Sequence, residues 1–130
     1  MPHKRVTLNP AGGLPSIELR FGNALFAKYD IFLFDRNGAN PQPVSTDQLN
    51  SDDVPDIFQV GTVLSDLDQR ILFWQAAISV FDNQPNQTYR MTAVISQDGN
   101  QLAVFKKPED QPGPIVNTVL DQDTVRFDVG

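Results

Sequence analysis

The chain has 130 residues, a formal net charge of −6, no cysteine and one histidine. That length suits one domain spanning residues 1–130, with a core large enough to need no disulfide or metal staple. The missing thiols exclude disulfides, zinc–thiolate centres and cysteine nucleophiles. The acidic balance disfavours a nucleic-acid partner, because only Lys4-Arg5 and Lys106-Lys107 are adjacent cations.

Ten prolines, eight glycines and an acidic set that is nearly all aspartate predict many turns and little helix. The first strand is expected over residues 4–8, followed by the breaker Asn9-Pro10-Ala11-Gly12-Gly13. Residues 16–21 alternate, with Ile17, Leu19 and Phe21 on one face and Glu18 and Arg20 on the other. Gly22-Asn23 reads as a turn. Residues 25–34 form a long strand with Ala27, Tyr29, Ile31 and Leu33 sharing a face. Phe26, Phe32 and Phe34 lie opposite with Lys28 and Asp30, and Asp35-Arg36-Asn37-Gly38 ends the strand.

Residues 39–56 read as irregular, with one helical turn suggested by the capping-box spacing of Ser45 and Gln48. A strand is expected over 57–63, a turn over 65–69 and a long apolar strand over 71–81. In that strand Leu72, Trp74, Ala76, Ile78 and Val80 oppose Phe73, Gln75, Ala77, Ser79 and Phe81. Residues 82–87 turn about Pro85, and 88–96 alternate with Tyr89, Met91, Ala93 and Ile95 inward. Gln97-Asp98-Gly99-Asn100 is a strong hairpin signal, returning over 102–106. A proline-rich loop over 108–114 precedes a hairpin of 115–120 and 124–129 across Asp121-Gln122-Asp123.

About eight strands with turn signals between them predict an all-β antiparallel β-sandwich. The segment Pro85-Asn86-Gln87-Thr88-Tyr89-Arg90-Met91-Thr92-Ala93 resembles the tyrosine corner of immunoglobulin-like and fibronectin-type sandwiches. The resemblance implies a Tyr89 hydroxyl bonded back to its corner, with Trp74 as the bulky core residue. It covers under a tenth of the chain and speaks only to architecture.

Catalytic signatures are scarce. His3, the sole histidine, lies near the start of the chain, so no Ser-His-Asp triad or histidine-based zinc site is expected. Gly12-Gly13 lacks the spacing and lysine of a phosphate loop. A small hydrolase using paired acids is the third functional reading, although no carboxylate pair stands out from the turn-capping aspartates. Asn86-Gln87-Thr88 is a glycosylation sequon without a secretory signal before it. With no signal peptide and no apolar run long enough for a membrane span, the default expectation is a cytoplasmic chain, with non-classical export as the other route. Calcium is the one ion whose chemistry suits the acidic loops, with Asp52, Asp53, Asp56, Asp66 and Asp68 as its candidate ligands. No other cofactor is implied.

Two strands are apolar on both faces, whereas a simple sandwich buries one face of each strand. Phe32, Phe34 and Phe73 on the second face therefore need a cover: the 39–56 segment, a partner, or a ligand. The leading expectation is a non-enzymatic binding or assembly module acting through protein–protein contacts at these rings, in a homo-oligomer. The runner-up is a lectin-like, carbohydrate-binding module, with Tyr29, Phe81, Asp82, Asn83 and Asn86 as platform and hydrogen-bonding groups.

Overall fold

A computed structural model describes residues 4–21, 25–50, 55–80, 88–107, 113–114 and 119–130. Eleven strands run in chain order: β1 (Lys4–Leu8), β2 (Ser16–Phe21), β3 (Leu25–Phe34), β4 (Gln42–Asn50), β5 (Asp56–Gln59), β6 (Ile71–Val80), β7 (Thr88–Tyr89), β8 (Met91–Gln97), β9 (Asn100–Lys107), β10 (Gly113–Pro114) and β11 (Val119–Val129). Among the described residues the only helical piece is a 3-10 turn, Leu64–Leu67. No helix among them is long and apolar enough to cross a membrane.

The strands form a five-stranded sheet, β1-β11-β6-β3-β4, packed on a four-stranded sheet, β5-β2-β8-β9, with a short β10-β7 pair beside them. All pairings are antiparallel except β1 with β11. The expected sandwich is therefore the observed architecture. Its core follows the pleat. Ala27, Tyr29, Ile31 and Leu33 of β3 face Ile17 and Leu19 of β2 and Met91, Ala93 and Ile95 of β8 within one buried cluster. β6 adds Leu72, Trp74, Ala76 and Ile78. Trp74 meets Phe105 of β9 edge-to-face at 5.4 Å between ring centroids. Each such side chain contributes about 1.5–3 kcal/mol on burial.

Three expectations are corrected. Residues 42–50 are strand, not irregular chain with a helical turn. Pro43 is tolerated because β4 ends the sheet, and its pairing with β3 shifts register on either side of Ile31. The strand expected over 57–63 is only Asp56–Gln59. Gly61 then turns away at φ +79°, where an added Cβ would come within 2.8 Å of Leu67 Cδ2. The expected C-terminal hairpin is instead one continuous strand. Asp121, Gln122 and Asp123 pair with Ala76, Gln75 and Trp74, because β6 is long enough to hold β11 along its length. That register turns Asp121 and Asp123 to the inner side, where Lys107 Nζ lies 3.9 Å from Asp123 Oδ2.

The Asp98-Gly99 turn has φ +53° and +79°, the conformation anticipated for this hairpin. It also docks the β1–β2 loop. The buried Gln97 carboxamide accepts from Asn9 N at 2.8 Å and donates to Asn9 O at 3.0 Å and Gly13 O at 2.8 Å. Asp98 accepts from Gly13 N at 3.1 Å. Removing the Gln97 side chain takes a partner from three backbone groups at once, and among the described residues only Asn9 O keeps another, Gly12 N at 3.0 Å. Gln97→Ala should therefore cost about 2–4 kcal/mol, read as a lower urea midpoint at unchanged slope. A loss below about 0.5 kcal/mol would contradict the clamp.

Candidate functional site

The outer face of the five-stranded sheet is assembled by register. Across β11, β6 and β3 one row reads Leu120, Ala77, Lys28 and the next reads Gln122, Gln75, Asp30. The third row is Thr124, Phe73, Phe32 and the fourth is Arg126, Ile71, Phe34. One end of the face is therefore aromatic and the other polar.

At the aromatic end, Phe32, Phe34 and Phe73 are half-buried rather than bare. Phe34 and Phe73 meet edge-to-face at 6.1 Å between centroids, an arrangement that adds favourable quadrupole contact to the area buried. Ile71 is buried on this outer side, so the end has a small core of its own. Residues 42–50 do not lie over these rings, because β4 extends the sheet sideways. The β3–β4 turn is nearer. A hollow of about 170 Å³ is lined by Phe34, Gly38, Ile71, Phe73 and Thr124.

That turn is held from inside and outside. Asp35 Oδ1 accepts from Asn37 N at 3.0 Å and Ala39 N at 2.9 Å, and its Oδ2 accepts from Asn40 Nδ2 at 2.8 Å. The Ala39 and Asn40 donors lower the Asp35 carboxyl below the usual carboxylate range. Arg126 Nη1 donates to Arg36 O at 3.1 Å and Gln69 O at 2.8 Å. Arg70 donates to Phe34 O at 3.3 Å and to Gln42 Oε1 at 3.0 Å. Composition gave no hint that two arginines would fasten this turn, because both act through backbone carbonyls or an amide rather than an acid.

At the polar end lies a cleft of about 560 Å³ lined by Lys28, Asp30, Gln75, Ala77, Leu120 and Gln122 among others. Gln75 Nε2 lies 3.5 Å from Asp30 Oδ2. Leu120 is 79% exposed, the most exposed large apolar side chain among the described residues. Alternation alone missed this cleft because it groups residues within one strand. The cleft joins three strands, and Leu120 had been expected in a hairpin.

The other expected site residues scatter. Tyr29 is 1% exposed and points into the core, so it is no surface platform for a sugar. Phe81, Asp82, Asn83 and Asn86 lie outside the described residues, as do Asp52, Asp53 and His3. The Tyr89 side chain, on which the tyrosine corner turns, is likewise outside them. Among the described calcium candidates, Asp56 accepts from the Tyr29 hydroxyl at 2.6 Å and Asp68 accepts from Val129 N at 2.9 Å, while Asp66 is exposed. No three acid or histidine side chains gather in a metal-holding group among the described residues. Of the acids, Asp121 and Asp123 share the inner face of β11, and Asp121 also borders the cleft over β3, β6 and β11.

No family model matches the chain, and no curated protein matches it. Two solved structures are similar in outline. One is a DUF4425 family protein from Bacteroides ovatus ATCC 8483, with TM-score 0.49 and 9% identity over 88% of this chain and 95% of that one. The other is a domain of unknown function, DUF4425, from Bacteroides vulgatus ATCC 8482, with TM-score 0.48 and 9% identity over 88% of this chain and 94% of that one.

The Tyr29–Asp56 bond ties β3 of one sheet to β5 of the other. Burial, followed by the hydrogen bond and charge of Asp56, pushes the Tyr29 hydroxyl far above its ordinary value near 10. The folded state thus holds this proton more tightly than the unfolded state. Its contribution is complete below about pH 10 and drains away as the pH rises above that value. Tyr29→Phe should cost about 1 kcal/mol at neutral pH. Between about pH 9 and about pH 11 the melting temperature of the parent protein should fall more than that of Tyr29→Phe. Parallel curves would show that Tyr29 titrates alike in both states.

Proposed function

We propose that the protein is a non-enzymatic assembly module that pairs with a second copy of itself through the aromatic end of its five-stranded sheet. The observation that carries this reading is the juxtaposition of Phe32, Phe34 and Phe73, still partly solvent-exposed, with an apolar hollow bordered by Phe34 and Phe73. A ring from one copy fits the hollow of the other, and a twofold axis makes the contact self-complementary.

The sheet edges favour a face contact over strand addition. β4 carries Pro43 and register breaks, and β5 is only four residues long. β9 carries a bulge between its pairings with Ile95 and Ser96, and ends in Lys106-Lys107. These features are the usual devices against edge-to-edge pairing. On the outer side of the four-stranded sheet the exposed Ile57 and Val104 flank the Glu18–Arg20 ion pair of 2.6 Å, so charge interrupts that apolar surface.

Analytical ultracentrifugation tests the proposal. The protein should be dimeric at high micromolar concentration, and Phe73→Asp should be monomeric while still melting cooperatively. A monomer at every concentration would remove the proposal. A Phe73→Asp chain that no longer folds would mark Phe73 as ordinary interior, and Phe32→Asp then serves as the dissociating variant.

A further inference from the structure

We infer that the polar cleft over β3, β6 and β11 is a binding site for a neutral saccharide. The inference goes beyond the ring contact and uses different rows of the same sheet. Its floor is Ala77, whose single methyl leaves a depression between Leu120 and Lys28 on the flanking strands. The adjoining row Gln122–Gln75–Asp30 crosses three strands. At a strand spacing of about 4.8 Å the row is about 10 Å long, the span of a disaccharide rather than of an ion. The cleft volume of about 560 Å³ falls within the range of small-molecule sites.

The chemistry of the lining selects the ligand class. Each carboxamide offers two N–H donors and one carbonyl acceptor, and a carboxylate offers acceptors alone. A sugar hydroxyl both donates and accepts, so vicinal hydroxyls can bridge Gln75 and Asp30, or Gln122 and Gln75. On the outer face Lys28 balances Asp30, while Asp121, the remaining charged residue of the lining, belongs to the inner face of β11. A phosphorylated or polyanionic ligand would find one cation beside an acid, and a cation would find one carboxylate beside an ammonium. A purely apolar ligand would strip water from Lys28, Asp30, Gln75 and Gln122 without replacing their hydrogen bonds. Leu120 and Ala77 supply the apolar patch on which the C–H face of a pyranose rests. The inference rests on none of Phe81, Asp82, Asn83 and Asn86, and it does not use the buried Tyr29.

The test is a titration of the ¹⁵N-labelled full chain, followed by amide shifts, at a protein concentration low enough to keep it monomeric. Glucose, galactose, mannose, xylose, N-acetylglucosamine, cellobiose, maltose and lactose are the probes, with glucosamine and glucuronate as charged controls. At least one neutral sugar should give saturable shifts centred on residues 28–30, 75–77 and 120–122. Ala77→Trp, which fills the depression, should weaken that binding by about tenfold or more, and Gln75→Ala by several-fold. Phe73→Asp should leave it unchanged, which separates failure of this site from failure of the ring contact. The inference is overturned by the absence of saturable shifts with every probe, by shifts centred elsewhere, or by an Ala77→Trp chain that binds as the parent does. A charged control binding about tenfold tighter than its neutral parent would equally overturn the assignment to neutral sugars.

Discussion

The register of β6 between β3 and β11 is the constraint on which the rest of this structure depends. Residues 71–78 of β6 pair with β3 on one side and β11 on the other without a break. The pleat then sends Leu72, Trp74, Ala76 and Ile78 to the core and Ile71, Phe73, Gln75 and Ala77 to the opposite face. A slip of one residue would exchange these two sets, placing Trp74 in water and Gln75 in the core. Its neighbours cannot follow such a slip, because Tyr29 is held to Asp56 across the sheets and Arg126 is held to the β3–β4 turn.

The inner faces were legible in the sequence because alternation reports burial directly. Ile17-Leu19-Phe21, Ala27-Tyr29-Ile31-Leu33 and Met91-Ala93-Ile95 all sit in the core as their spacing implied. The hairpin at Asp98-Gly99 was legible for a local reason, since both residues adopt positive φ. What failed were segments where a partner strand overrides local preference. Residues 42–50 fall in a segment that reads as irregular, yet Pro43 needs no N–H bond on the outer side of the last strand. Asp121-Gln122-Asp123 reads as a turn, yet β6 supplies a ladder for it and Lys107 supplies charge for Asp123. Local polarity cannot report either circumstance.

The candidate surfaces were legible in part. The doubled apolar faces of residues 25–34 and 71–81 pointed to the outer rings, and those rings do meet across β3 and β6. Their half-burial, the buried Ile71 behind them and the arginine-fastened turn required the third dimension. So did the cleft, because its lining joins residues far apart in sequence. A sheet whose outer face served only solubility would carry alternating charges there. This one carries a ring cluster at one end and a hydrogen-bonding row at the other, and its β4 edge carries Pro43 and register breaks.

The claim that this outer face is the working surface is tested most directly by hydroxyl-radical footprinting of the intact protein across a range of concentration. Oxidation of Phe32, Phe34 and Phe73 should fall as the chain is concentrated, while Ile57 and Val104 on the opposite sheet keep a constant labelling rate. Constant labelling of the three rings, or protection confined to Ile57 and Val104, would contradict the account.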